Sequence, residues 1–287
     1  MRVFVTGATG FIGSEVVKDL IGAGHHVLGL CRSKEKAPAL AALGAEVHQG
    51  DLTDLESLRQ GAAAADGVIH LAFIHDFSKF AENAEIDRRA IEAIGSVLKG
   101  SNRPLLVTSG LGLLATGRIA TETDKPSPDF PRVSEAAAWA SGCNAGAVRL
   151  PQVHDTAKQG FITYLTGVYR QQSQCAYIGD GENRWPAVPV QDAAHLYRLA
   201  LEKAEPNAIY HAVAEEGVTL RAIAETIGLR LNLPVNAIPA SEAQAFFGWL
   251  APFAGLDMPA SSTQTREKLG WQPTGRGLLD DLRELQI

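Results

Sequence analysis

Thr6-Gly7-Ala8-Thr9-Gly10-Phe11-Ile12-Gly13 is the stretch that decides the fold. It follows the apolar run Arg2 to Val5, which reads as a buried strand. It leads into Phe11 to Ile21, where Ile12, Val16, Val17, Leu20 and Ile21 recur at helical spacing. Glycines at such a junction let the chain turn tightly, bring backbone close to a pyrophosphate and pack helix on strand. The helix start then offers free N–H groups and a positive dipole end to phosphates. A dinucleotide site is the expected use of this strand-turn-helix; an ordinary glycine turn is the bland alternative.

Working outward, His26 to Leu30, Ala45 to His48, Gly67 to Leu71, Leu105 to Thr108 and Ala145 to Leu150 read as further strands. Phe80 to Leu98 reads as a long helix, with Phe80, Ala84, Ile91, Ile94 and Leu98 inward and Glu82, Glu85, Arg88, Arg89 and Glu92 outward. The alternation predicts an α/β, Rossmann-type doubly wound parallel sheet covered on both faces. Thr121 to Arg132, with Pro126, Pro128 and Pro131, reads as a loop. Beyond Pro151 the pattern changes. Gly160 to Arg170, Leu220 to Leu229, Ser241 to Leu250 and Ser262 to Leu269 read as helices, and Cys175 to Ile178 as extended before a turn at Gly179-Asp180-Gly181. The helix Gln191 to Lys203 and the strand Ala208 to Ala212 are expected to return to the sheet. The expected division is a dinucleotide-binding domain over 1–150, completed by 187–213, and a smaller, mainly helical C-terminal substrate cap over 151–186 and 214–287.

Composition narrows the function. The 287 residues are 46% hydrophobic and 20% charged, a globular balance long enough for a large core. A net charge of −6 without a basic run argues against nucleic acid as a partner. Cys31, Cys143 and Cys175 are far apart and lack ligand spacing, as do the pairs His25-His26 and His70-His75, so no metal is expected. Reduced cysteines, no apolar leader and no membrane-length apolar run predict a cytoplasmic protein.

The glycine spacing Gly7-x-x-Gly10-x-x-Gly13 resembles the motif of the extended short-chain dehydrogenase/reductase family, the epimerase/dehydratase-like group. Further stretches are similar in order. Asp51-Leu52 resembles the step whose carboxylate contacts adenine, and His70-Leu71-Ala72, with Phe73 beyond, the ribose-facing turn. Arg149-Leu150-Pro151 looks like the Arg-x-Pro entry to the substrate region. Gly179 through Arg184 and Trp185 to Ala193, and Arg266 to Pro273, resemble signatures of the cap. The resemblance implies cofactor contacts from Thr6, Gly7, Thr9, Gly10, Phe11, Ile12, Gly13, Asp51, Leu52, Leu71, Ala72, Phe73, Thr108 and Pro151. NADP is expected over NAD. A carboxylate about 20 residues past the glycines would bond the ribose 2′-hydroxyl and repel a 2′-phosphate. Here that place reads Leu30-Cys31-Arg32-Ser33, and Arg32 and Ser33 can clamp the phosphate; a solvated Arg32 is the alternative.

In the resembled family a Tyr-x-x-x-Lys pair does the proton chemistry, the lysine lowering the tyrosine pKa. Between Ser109 and Arg149 this chain has no tyrosine, and Pro131 and Glu135 fall in the tyrosine and lysine places. Remaining candidates are Ser109, or Gly110 in a shifted register, at the substrate oxygen, with His154, Tyr164 or Tyr169 as proton donor. His75, Gly110, Tyr164, Arg184 and Trp185 are candidates for the substrate cleft. The expected activity is NADPH-dependent reduction of a small carbonyl or imine without the dyad. Alternatives are a nucleotide-sugar epimerase or dehydratase, and a redox sensor that binds NADP without turnover. The family's helical bundle implies a homodimer through Phe80 to Leu98, with Ile86, Ala90, Ala93 and Val97 as a second stripe.

Overall fold

The computed structural model describes residues 1–127 and 130–286, so Pro128 of the expected proline loop lies outside the described residues. The strands in chain order are β1 (Arg2–Thr6), β2 (His26–Cys31), β3 (Glu46–Gln49), β4 (Gly67–His70), β5 (Pro104–Gly110) and β6 (Asn144–Leu150). The C-terminal half adds β7 (Gln152–His154), β8 (Cys175–Ile178), β9 (Arg184–Pro189), β10 (Ile209–His211), β11 (Glu215–Thr219) and β12 (Val235–Ile238). Seven of them form one parallel sheet in the order β10-β6-β5-β4-β1-β2-β3. The order reverses between β1 and β4, which opens a crevice at their carboxyl ends, directly above the glycine turn.

Both faces of this sheet are covered, so its inner strands are largely apolar: Val3, Phe4, Val5, Val68, Ile69 and Val107 have no exposure, whereas the edge strand β3 carries Glu46, His48 and Gln49. The helices α1 (Phe11–Gly22), α2 (Ala37–Ala42), α3 (Leu55–Ala63), α4 (Phe80–Leu98), α5 (Ser134–Ala140), α6 (Gly160–Gln172), α7 (Val190–Lys203) and α8 (Leu220–Leu231) follow in chain order. Val16, Val17 and Leu20 of α1 share one core with Leu196, Tyr197 and Ala200 of α7. Leu58 of α3, Ile91 and Ile94 of α4 and Ala138 of α5 share the other. After α7, β10 pairs beside β6 with Tyr210 opposite Val148, so residues 190–211 belong to the sheet.

The cap has its own core, built from Ile162, Leu165, Tyr169, Trp185, Ile223, Ile227 and Phe247. It is less helical than the sequence suggests. Strands β11, β9 and β7 make a three-stranded sheet, and β12 pairs with β8. Pro186 inside β9 demotes it in any reading by propensity, yet β9 is the middle strand of its sheet. The helix expected over Ser241 to Leu250 is interrupted: Gly248 takes φ 57°, which separates Ala243–Phe247 from the short turn Gly248–Leu250.

The second stripe of α4 is also corrected. Ala90 (0% exposed) and Ala93 (4%) are buried in the chain's own fold, leaving Ile86 and Val97 half-buried. Two of the four residues expected to meet a partner are therefore covered already. Among the described residues no helix is long and apolar enough to cross a membrane.

Candidate functional site

The turn after β1 is shaped by its glycines. Gly7 has φ +71°, and a Cβ there would stand 2.9 Å from the Ala72 amide nitrogen. A Cβ on Gly13 would stand 2.0 Å from the Gly7 carbonyl oxygen, so a larger residue cannot enter without moving the turn. The Gly10 amide donates to the same oxygen at 2.8 Å. Thr6 ties the turn to β4: its Oγ1 accepts from the Ala72 amide at 3.2 Å and donates to Nδ1 of His70 at 2.9 Å. Leu71 and Ala72 thus lie against the turn, the Leu71 amide donating to the Thr6 carbonyl at 3.3 Å, while Thr9, Phe11 and Ile12 are half-buried where the turn enters α1. A close backbone cradle at a helix N-terminus fits the pyrophosphate of a dinucleotide.

At the outer end of the crevice, residues that follow β2 and β3 come together. The Arg32 side chain is 78% exposed and its guanidinium lies 3.6 Å from Oδ2 of Asp51. Asp51 accepts from the Thr53 amide at 2.9 Å and hydroxyl at 2.8 Å. Burial raises the Asp51 pKa, but the Thr53 bonds and the Arg32 charge outweigh it and hold the carboxyl below its ordinary range. Leu52 is buried beneath and Ser33 is half-buried beside Arg32.

At the inner end a buried polar chain backs the crevice. His70 donates from Nε2 to Asp87 at 3.2 Å, and Asp87 accepts from the Ser134 hydroxyl at 2.5 Å. Arg132 reaches the same cluster. Its Nε donates to Ser134 Oγ at 3.0 Å and lies 3.6 Å from Asp87, while Nη2 donates to the Thr108 carbonyl at 2.9 Å. Its guanidinium stands 4.1 Å over the Phe73 ring. Burial raises the Asp87 pKa, but His70, Arg132 and Ser134 together bring it below the usual carboxylate range. Thr108 is a structural tie: its hydroxyl donates to the His70 carbonyl at 2.8 Å and accepts from Tyr197 at 2.8 Å. Ser109 and Gly110 follow at the carboxyl end of β5, half-buried and exposed.

The lysine place is filled by an ion pair. Glu135 accepts from Nε and Nη2 of Arg149 at 2.7 and 2.8 Å, with Arg149 wholly buried. Arg149 also donates from Nη1 to Nε2 of His211 at 3.2 Å, and His211 donates from Nδ1 to the Ser261 carbonyl at 2.8 Å. Both ring nitrogens are thereby committed to the neutral form. Burial, with Arg149 adding to it, pushes the His211 pKa down to about 4, against the pull of Glu122 and Glu135. A depressed histidine contributes stability above its unfolded pKa, and that contribution is lost as pH falls toward the folded value. Thermal unfolding should therefore show a midpoint that drops between about pH 6.5 and pH 4. His211→Gln, which keeps one donor and one acceptor, should flatten that dependence; an unchanged slope would remove His211 as its source.

Three expected site residues, Tyr169, His154 and Trp185, are corrected, and Arg184 and Pro151 take the places given below. Tyr169 is a cap core residue: fully buried, its hydroxyl donates to the Ala176 carbonyl at 2.7 Å, and burial holds its pKa well above the usual value. His154 is fully buried and bonded through Nδ1 to Asp281 at 2.7 Å, so it fastens β7 to the C-terminal helix Leu278–Arg283. Trp185 is buried in the cap, and Arg184 is held by Asp257 at 3.0 and 2.9 Å. Pro151, half-buried, carries the chain out of β6. Phe73, His75 and Tyr164, by contrast, join one aromatic cluster at the cap. Desolvation of the His75 ring, then the charges of Arg132 and Lys158, lower its pKa despite a hydrogen bond that the ring donates to the Phe73 backbone.

Sequence reasoning missed Arg132, Asp87 and Lys158. Lys158 stands 5.5 Å over the Phe11 ring, at the start of α1. Its only signal was position, in the loop just beyond the Arg-x-Pro step.

The comparisons agree with this geometry. Residues 3–97 match the model of the NAD dependent epimerase/dehydratase family. An uncharacterized protein of Schizosaccharomyces pombe is 47% identical over 98% of each chain. A ketoreductase of Stigmatella aurantiaca, named for a 4-hydroxy-2-methyl-3-oxo-4-farnesyl-3,4-dihydroquinoline-1-oxide, is 33% identical over 99% of this chain and 96% of its own. Among solved structures, a dTDP-glucose 4,6-dehydratase of Streptomyces venezuelae with NAD and TYD bound superposes with a TM-score of 0.77 at 19% identity, over 99% of this chain and 96% of that one. The glycine cradle, the switch point beside β1 and relatives aligned over the whole length lead to one assignment: the chain belongs to the NAD dependent epimerase/dehydratase family of extended short-chain dehydrogenases/reductases.

Proposed function

We propose that the protein is an NADPH-dependent reductase of a small carbonyl or imine compound, working without a tyrosine-lysine dyad. The observation that carries the cofactor choice is Arg32, 78% exposed at the carboxyl end of β2, where a 2′-phosphate can replace the long contact to Asp51. NADPH, when bound, supplies a hydride to the substrate carbon. Ser109 donates a hydrogen bond to the substrate oxygen, and the Arg132 guanidinium balances the negative charge that develops there. The proton comes from water or from a cleft residue such as Tyr164, 38% exposed on α6. The ketoreductase relative supports reduction of a ketone as the reaction type.

Arg32→Ala tests the cofactor choice. A charge-assisted bond contributes about 1.5 to 3 kcal/mol, so NADPH affinity should fall about 10- to 100-fold while NADH affinity stays constant. Fluorescence titration of both cofactors measures it; equal affinity for the two in the parent protein would remove the NADP assignment. A second reading, an NADP-binding sensor without turnover, is favoured by one feature. The lysine place holds Glu135, already committed to Arg149.

A further inference from the structure

We propose that the cleft takes a planar aromatic carbonyl compound, whose ring inserts between Phe77 and Trp249. The carbonyl rests on the reductase reading above; the planar ring rests on an arrangement of side chains that reading does not use. A ladder of rings starts at Phe73, just past β4 and under the Arg132 guanidinium. Phe73 meets His75 at 5.5 Å and Phe80 at 6.0 Å, and His75 meets Phe77 at 6.0 Å. Phe77 then crosses to the cap. It stacks on Trp249 with centroids 4.8 Å apart and planes 11° from parallel, and Tyr164 closes on its edge at 5.7 Å and 88°. The ladder thus runs unbroken from the carboxyl end of β4 to the outer wall of the cleft.

Two features say that the ladder is a binding surface rather than a core. Trp249 is 44% exposed, whereas Trp185 and Trp271 are buried. Phe77 and Trp249 also sit on single turns, Phe77–Lys79 and Gly248–Leu250, so they can part without breaking a strand or an α-helix. Admitting one planar ring needs a separation larger by about 3.5 Å, one van der Waals layer. Charge points the same way. A nucleotide-sugar would bring a diphosphate that needs cations on the cap wall. At the ladder the cap presents Phe161, Tyr164, Trp249 and Phe253, and the nearby Arg184 is neutralised by Asp257. Two cations stand at the inner end: Arg132, placed for the carbonyl oxygen of a neutral ligand, and Lys158, whose charge reaches His75 but which lies over Phe11 at the start of α1, on the glycine-turn side rather than on the cap wall.

The test is titration of the NADP⁺-saturated protein, which cannot reduce an aldehyde, with 1-naphthaldehyde, cyclohexanecarboxaldehyde and UDP-glucose, read by tryptophan fluorescence and calorimetry, with reduction of the two aldehydes then followed in NADPH. Naphthaldehyde should bind about 10-fold more tightly than the saturated aldehyde, a factor in line with ring-ring contacts, and UDP-glucose should not bind. Phe77→Ala and Trp249→Ala should each cost about 10-fold in naphthaldehyde affinity, with NADPH affinity unchanged, and Phe77→Tyr and Trp249→Phe should recover most of it. Equal affinity for the two aldehydes, insensitivity to both alanine variants, or UDP-glucose binding more tightly than naphthaldehyde would overturn the inference. Naphthaldehyde held by the stack but never reduced would sustain this inference and defeat the reductase reading. Fast reduction of the saturated aldehyde, untouched by the stack variants, would do the reverse.

Discussion

Arg132→Ala should lower kcat by about 100- to 1,000-fold while leaving the NADPH Kd within about twofold. The expectation follows from where the side chain is held. Its Nη2 is fixed on the Thr108 carbonyl and its Nε on Ser134, with Asp87 behind it. The guanidinium is therefore aimed before any substrate arrives, and its charge does not have to be reorganised during the reaction. A preorganised cation acts on the oxygen only as negative charge grows on it, so the loss should appear in kcat rather than KM. Arg132→Lys, which keeps the charge and loses the fork, should recover part of the rate. Steady-state kinetics on one reducible carbonyl, with unfolding curves for each variant, decide it. An equal rise in KM with kcat unchanged would make Arg132 a binding residue only.

Glu135→Ala should destabilise the fold by about 3 to 5 kcal/mol, because it leaves the fully buried Arg149 guanidinium without its carboxylate. The pair itself contributes little net stability, since both charges left water to form it. Losing one partner alone is what costs. The double variant Glu135→Ala with Arg149→Met should therefore be more stable than Glu135→Ala alone, measured by urea unfolding. Glu135→Lys, which restores the residue usual in the family, should not restore a dyad: it sets two cations against each other and leaves Pro131 in the tyrosine place. A Glu135→Ala protein as stable as its parent would mean that water reaches Arg149.

What the sequence made legible was local. The turn at Gly7 is readable because its φ and its contact with Ala72 admit only glycine, and the inner strands of the sheet because burial on both faces makes them largely apolar. The burial of Tyr169 was also readable: Ile162, Leu165, Thr166 and Tyr169 fall on one face of α6. His154 was not, since its partner Asp281 lies 127 residues away. Arg132 looked like a neighbour of a missing tyrosine, and its place follows only once β5, Phe73 and Asp87 converge. Of the cap strands β8 was legible as the extended run Cys175 to Ile178, but the three-stranded sheet escaped because β9 contains proline and pairs with β7 and β11, which are remote from it in the chain.

The most direct test is nicotinamide absorbance of the NADPH-saturated protein mixed with a panel of aromatic and aliphatic aldehydes, ketones and imines. NADPH consumption by at least one member, depressed by Ser109→Ala at unchanged NADPH affinity, is the expected result. Tight NADPH binding with no consumption across the whole panel would contradict it and leave a protein that senses the cofactor without turning it over.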